Sequence, residues 1–150
     1  MPIDRIDHIV LTVRDLEATI RFYTENLGLE AVEFEPGRHA LHIGDAKLNL
    51  HRAGDEFAPH ADRPTPGSAD LCFTTTEPIL AIVERLERAG VPVEVGPVGR
   101  VGARSGLRSI YLRDPDGNLI EVANEVVDPF PSGPSGQVGR RAGSRLRPRG

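Results

Sequence analysis

"IDHIVLTVRDLEATIRFYTENLGLEAV" (residues 6–32) reads as an alternating strand, an acidic helix start, an amphipathic helix and a terminating glycine. The same order recurs in "SADLCFTTTEPILAIVERLERAGVPVE" (68–94), at an offset of 62, and a repeat of this kind outweighs any local propensity. In the overlay His8 lies on Asp70, Val10 on Cys72, Thr12 on Thr74, Asp15 on Glu77, Ile20 on Ile82 and Gly28 on Gly90. Leu16, Ile20, Tyr23 and Leu27 recur at helical spacing in the first copy, as do Ile79, Ile82, Val83 and Leu86 in the second. Asp15 and Glu77 suit the positive end of a helix, and Pro78 is tolerated in a first turn.

Each helix is followed by three shorter strands. The first set is expected at about 29–35, 38–43 and 46–52, with a Gly44-Asp45 turn between the last two. The second is expected at about 92–96, 106–113 and 118–124. The order βαβββ, twice, predicts an α+β fold of two tandem modules, 3–52 and 68–125, joined by the Pro-rich connector 53–67. "RDPDGNLIEV" (113–122) opens the last strand with a turn: Pro115 fixes φ, and Asp116-Gly117 tolerates φ > 0.

Alternation then decides what each strand presents. Ile9, Leu11 and Val13, like Leu71 and Phe73, should face the helices. That leaves His8, Val10 and Thr12, and Asp70, Cys72 and Thr74, on the opposite faces. In the closing strands Leu48 and Leu50 oppose Asn49 and His51, just as Ile120 and Val122 oppose Glu121. Four strands at equivalent places therefore carry polar, ligand-capable groups away from the helices. If the two sheets curve towards each other as one mixed sheet, these faces enclose one cavity.

Composition narrows the function. The 150 residues fit one ordinary domain, 1–127, with a tail. A single cysteine, Cys72, rules out an internal disulfide framework and any Cys-rich zinc site. Residues 128–150 hold five arginines and one aspartate, a balance of +4, so residues 1–127 carry −8. An acidic body gives no reason to expect nucleic acid binding. No apolar run approaches a membrane span, and "MPIDRIDHIV" lacks a basic segment followed by a long apolar one, so a cytoplasmic location is expected. The Pro-, Gly- and Arg-rich tail has too little apolar surface to offset its ordering entropy and is expected to be disordered.

The segments "DHIVLTVRDLEATIRFYTENLGL" (7–29), "KLNLHRAG" (47–54), "PGSADLCF" (66–73) and "IYLRDPDGNLIEV" (110–122) resemble the vicinal oxygen chelate superfamily, which includes glyoxalases, bleomycin-resistance proteins and extradiol dioxygenases. More narrowly, they are similar to the glyoxalase-domain-containing protein five group and to bacterial relatives labelled virulence proteins. The resemblance implies paired βαβββ modules, commonly dimeric, with a divalent metal (Zn, Ni, Mn or Fe) in the cavity. Carried over by position, the first-strand ligand falls on His8, the last-strand ligand on Glu121 and the fifth-strand ligand, usually His, on Asp70. The fourth-strand ligand falls on Asn49, with His51 one step further along the same face.

Glu121 has the competing reading of a surface carboxylate, and His8 that of a satisfied histidine. A set of His8, His51 and Glu121 would be the two-His, one-carboxylate type that suits Fe(II) oxygenases. Thr12, Thr74, Cys72 and Tyr111 are candidate cavity residues. Arg104 and Arg108 flank "GRVGARSG" (99–106), a loop able to close over an anion, although solvated arginines read equally well there. His39, His42 and His60 read as solvated residues of turns or loops.

Three functions follow as expectations. The first is a metal-dependent lyase or isomerase acting on a small vicinal-oxygen substrate, with Glu121 also serving as general base. The second is a ring-cleaving dioxygenase. The third is a metal-free small-molecule binder of the bleomycin-resistance kind, against which the lack of tryptophan counts mildly.

Overall fold

A computed structural model describes residues 2–126; the tail expected to be disordered lies outside them. The order is β1 (His8–Val13), α1 (Leu16–Leu27), β2 (Glu30–Glu35), β3 (Arg38–Ile43), β4 (Ala46–Arg52), β5 (Asp70–Thr74), α2 (Ile79–Arg88), β6 (Val95–Val101), β7 (Gly106–Arg113) and β8 (Leu119–Val126). Each module builds its own four-stranded mixed sheet, β1-β4-β3-β2 and β5-β8-β7-β6. The fold is α+β, as expected, but the strands form two separate sheets of identical topology. In each, the first strand runs parallel to the last and the remaining pairs are antiparallel.

The helices start differently. Asp15 caps α1 locally, its carboxylate accepting from the Ala18 amide at 2.9 Å. At α2 the expected partner, Glu77, pairs with Arg85 instead. The Ile79 amide is capped from afar by Asn124 Oδ1 at 2.9 Å, while Asn124 Nδ2 donates to the Thr75 and Glu77 carbonyls. Both helices end on a glycine at φ 71°, Gly28 and Gly90, the left-handed conformation that terminates a helix cheaply.

Leu11, Val13, Leu48 and Leu50 of the first sheet join Ile110, Leu112, Ile120 and Val122 of the second in one apolar cluster with Tyr23, Ile79, Ile82 and Leu86. Helix-facing surfaces thus hold the modules together. The 113–117 turn fastens the same seam. Buried Asp114 accepts from the Tyr23 hydroxyl at 2.9 Å, the Asn118 side-chain amide at 2.7 Å and the Asp116 and Asn118 amides, both at 2.9 Å. Burial first, then the Asp114 carboxylate, pushes the Tyr23 phenol far above its ordinary pKa. Arg14 pairs with buried Asp116 at 3.1 Å. Asn118 Oδ1 accepts from the Ala69 amide at 2.8 Å, which sets the start of β5.

One strand departs from expectation. β6 runs over Val95–Val101, where the sequence pattern suggested 92–96. The pairs Val98↔Ser109 and Arg100↔Leu107 carry the ladder into part of the segment read as loop. A Cβ on Gly96 would lie 2.4 Å from the Ser109 carbonyl oxygen, so the backbone passes β7 at a distance only glycine allows. His39 and His42 are likewise residues of β3, half-buried and exposed, rather than of a turn; His60 is an exposed loop residue.

Candidate functional site

β8 separates core from site by alternation. Ile120 and Val122 are buried in the core, while Glu121 turns to the open face of the second sheet. The register places Cys72, Glu121 and Tyr111 side by side across β5, β8 and β7. Together with Thr74, Arg100, Arg104 and Ser105 they line a cavity of about 450 Å3 whose walls all belong to module two. Asp70 starts β5 on the same face, exposed at the edge of this row.

Charge in the cavity is unevenly satisfied. Glu121 Oε1 is buried and has no hydrogen-bond partner in the protein, nor has Ser105 Oγ. Such an oxygen costs stability unless something supplies a donor or a cation. Arg104 reaches Glu125 at 3.3 Å. Arg100 donates from Nε to the Tyr111 hydroxyl at 2.9 Å and lies 5.3 Å from the centre of its ring. Cys72 keeps its proton: burial above all, then the Glu121 carboxylate, by its charge and as an acceptor for the thiol, with Asp70 adding less, push the thiol up to about 11.

The remaining candidates stand on the first sheet. His8 is about half exposed and bonds to Asp7 at 2.9 Å. Asn49 and His51, only 7% and 5% exposed, sit on β4 between β1 and β3. Asn49 Oδ1 and His51 Nδ1 are also buried without partners. Phe57 of the connector covers His51 edge-on, with ring centres 5.5 Å apart. Burial, and then Arg38, lower the His51 pKa below the ordinary imidazole value against an opposing pull from Glu56. Thr12 lines a separate 120 Å3 cleft beneath the connector.

One chain therefore gathers Glu121, Cys72, Thr74, Tyr111 and Arg104, with Asp70 near, and keeps His8, Thr12, Asn49 and His51 apart from them. Among the described residues no three of His, Cys, Asp and Glu converge closely enough to hold a metal ion. Sequence reasoning named Arg104, which lines the cavity, and Arg108, which does not, and missed Arg100. Arg108 belongs to the alternate set of β7, with Ile110 and Leu112. Carrying the β7 alternation back through a hairpin at 101–106 would have found Arg100.

Residues 5–122 match the profile of the glyoxalase/bleomycin resistance protein/dioxygenase superfamily. The chain belongs to this superfamily. It is 56% identical over 126 residues to virulence protein STM3117 of Salmonella typhimurium, covering 84% of this chain and 88% of that protein. The crystal structure of STM3117 superposes with a TM-score of 0.82, covering 84% of this chain and all of the other. Two less similar structures belong to proteins of different function. Lactoylglutathione lyase from Agrobacterium tumefaciens is 28% identical (TM-score 0.64, 83% of this chain, 96% of that one). TnmS3, an antibiotic binding protein from Streptomyces sp. CB03234, is 27% identical (TM-score 0.64, 84% and 99%). No helix among the described residues is long and apolar enough to cross a membrane.

Proposed function

We propose that the protein is a divalent-metal-dependent lyase or isomerase acting on a small vicinal-oxygen substrate. One observation carries this: the buried, unpartnered Oε1 of Glu121 in a cavity walled by module two alone. A carboxylate oxygen with no donor fits a cation. The donor set in one chain is half complete, with Glu121 and Asp70 on one face and the imidazoles on the other module. A homodimer in which the helix-distal face of module one meets that of module two of a second copy would bring His8 to Glu121 and Asp70, with His51, beneath Phe57, as the alternative imidazole. The metal, once bound, would supply Lewis acidity to adjacent substrate oxygens. Glu121 is positioned to hold a proton beside it. The likeness to a lactoylglutathione lyase supports the reaction class.

The test is metal content by mass spectrometry on untagged protein purified without chelator, beside Glu121→Gln and His8→Ala, with sedimentation on the same samples. Near-stoichiometric metal in a dimeric parent, lost in both variants, is the expected result. Metal retained in His8→Ala and lost in His51→Ala moves the imidazole to His51 and favours dioxygenase chemistry. No metal after reconstitution with Fe(II), Mn(II), Ni(II) or Zn(II) rejects the proposal. A small-molecule-binding role of the kind TnmS3 has towards an antibiotic would then be the one to pursue.

A further inference from the structure

Glu121 and Arg100 bracket Tyr111, and their needs are opposite. Glu121 offers a buried oxygen that lacks a donor. Arg100 offers a guanidinium that has no carboxylate partner among the described residues. Its Nε is committed to the Tyr111 hydroxyl and one terminal nitrogen to the Gly99 carbonyl at 3.0 Å, which leaves further N–H groups free. The phenol orients the arginine by a hydrogen bond and a cation–π contact, so the cation is directed towards the cavity before any ligand arrives. Because Tyr111 accepts from Arg100, its own O–H proton remains available to donate. The nearby Arg104 differs in having a carboxylate partner, Glu125, at 3.3 Å, which offsets part of its charge.

From this polarity we infer that the module-two cavity selects a small hydroxy carboxylate, its carboxylate taken by Arg100 and its hydroxyl donating to Glu121, with Tyr111 between them. The inference deepens the proposed function by naming a substrate class for the same site; it rests on that reading, with the Glu121 carboxylate shared between the cation and the substrate hydroxyl. A plain carboxylic acid would satisfy Arg100 but bring Glu121 no hydrogen-bond donor. A neutral diol would satisfy Glu121 and leave Arg100 idle. Only a molecule carrying both groups meets both ends.

The test uses the full chain, with lactate and 3-hydroxybutyrate as probes. Each is compared with its neutral amide and with the acid lacking the hydroxyl, propionate or butyrate. Binding is followed by the 15N-resolved Nε–H signal of Arg100 together with backbone amides of β7 and β8. At least one hydroxy acid should bind about tenfold or more tightly than its amide, in keeping with a charge-assisted bond to arginine. It should also bind several-fold more tightly than the acid without the hydroxyl. Arg100→Gln should erase the first preference, and Glu121→Leu, which removes the acceptor, the second. Tyr111→Phe, which keeps both charges, should retain the preference for acid over amide at reduced strength. Equal binding of acid and amide, a preference that survives Arg100→Gln, or no response to either hydroxy acid would overturn the inference. Metal content is measured separately, so loss of the substrate class and loss of the metal role are distinguishable. If alanine binds more tightly than the hydroxy acids, the donor recognised by Glu121 is an ammonium group and the hydroxyl assignment fails.

Discussion

β4 and β8 occupy the same place in the two modules, and they teach different lessons. Both are central strands, parallel to the first strand of their module, and both carry unpartnered buried polar atoms on the face away from the helices. Above β4 the face is closed: Phe57 covers His51, Arg38 lies 5.0 Å from the Phe57 ring, and Lys47 lies 3.9 Å from Phe34. Above β8 the face is open, with a cavity that sets a carboxylate against an unpaired guanidinium. Repetition kept the topology while the surface chemistry of the two copies parted. An aromatic and a cation shut one face, and glycine-rich backbone leaves the other room.

If the modules depend on each other, cutting the turn that joins them should have the largest effect. Asp114→Ala strands the Tyr23 hydroxyl and two backbone amides and should cost about 3–4 kcal/mol. Tyr23→Phe should cost about 1–2 kcal/mol. Denaturant unfolding followed by probes in each module should show one shared transition moving to lower denaturant. Two separate transitions in the parent would break the picture of one cooperative unit.

Cys72 sharpens the contrast next, because its counterpart in the first copy is Val10. With the thiol pushed up to about 11, its thiolate fraction at pH 8 falls roughly two-hundredfold below that of an ordinary cysteine. Alkylation by iodoacetamide should be slow at pH 8 despite exposure, and should accelerate towards pH 11. Removing the neighbouring charge with Glu121→Gln should lower the pKa and speed the reaction several-fold. An unchanged rate would show that Glu121 does not sit against the thiol.

The two helix caps give a smaller difference. Asn124→Ala removes three hydrogen bonds around the start of α2 and should cost about 2–3 kcal/mol, against about 1 kcal/mol for Asp15→Ala at α1. Equal losses would mean that α2 finds a replacement cap.

The gentlest effect concerns the closed face. The folded-state pKa of His51 is depressed, so the unfolded chain binds more protons as pH drops below the ordinary imidazole value of about 6.5. Stability contributed by neutral His51 is present above that value and is lost as pH falls towards the lower folded pKa. His51→Gln should flatten the stability profile between about pH 7 and 5 without changing the plateau slope above it.

What could be read in the chain tracks how local the cause was. β3, β4 and β7 matched their expected bounds because turn residues and alternation sit inside each strand. The helix faces followed from spacing alone. β6 slid three residues towards the C-terminus because its identity depends on what β7 offers opposite Val98 and Arg100, and Pro92, Gly96 and Pro97 blur the local pattern. Glu121 was legible as a carboxylate on the wrong face for its neighbours. Arg100 was not, since its importance comes from a tyrosine 11 positions away across a hairpin. Asn118 and Asn124 looked like ordinary polar residues. Their partners lie 45 to 49 positions earlier, and no window along the sequence contains both ends.

That long reach governs how the protein is made as well as how it stands. The cap of α1 is in hand within three residues of the helix start. The Ile79 amide must wait for a side chain 45 residues downstream. At the usual pace of about 5–20 residues per second, a growing chain exposes the unfinished α2 for about 2–9 seconds before Asn124 has even been added. Module one has all its own strands and its helix cap in that interval, although its share of the common core still waits for module two. Module two remains an apolar helix in search of its last strand, and it is the half for which a chaperone, or a partner chain folding alongside, would matter.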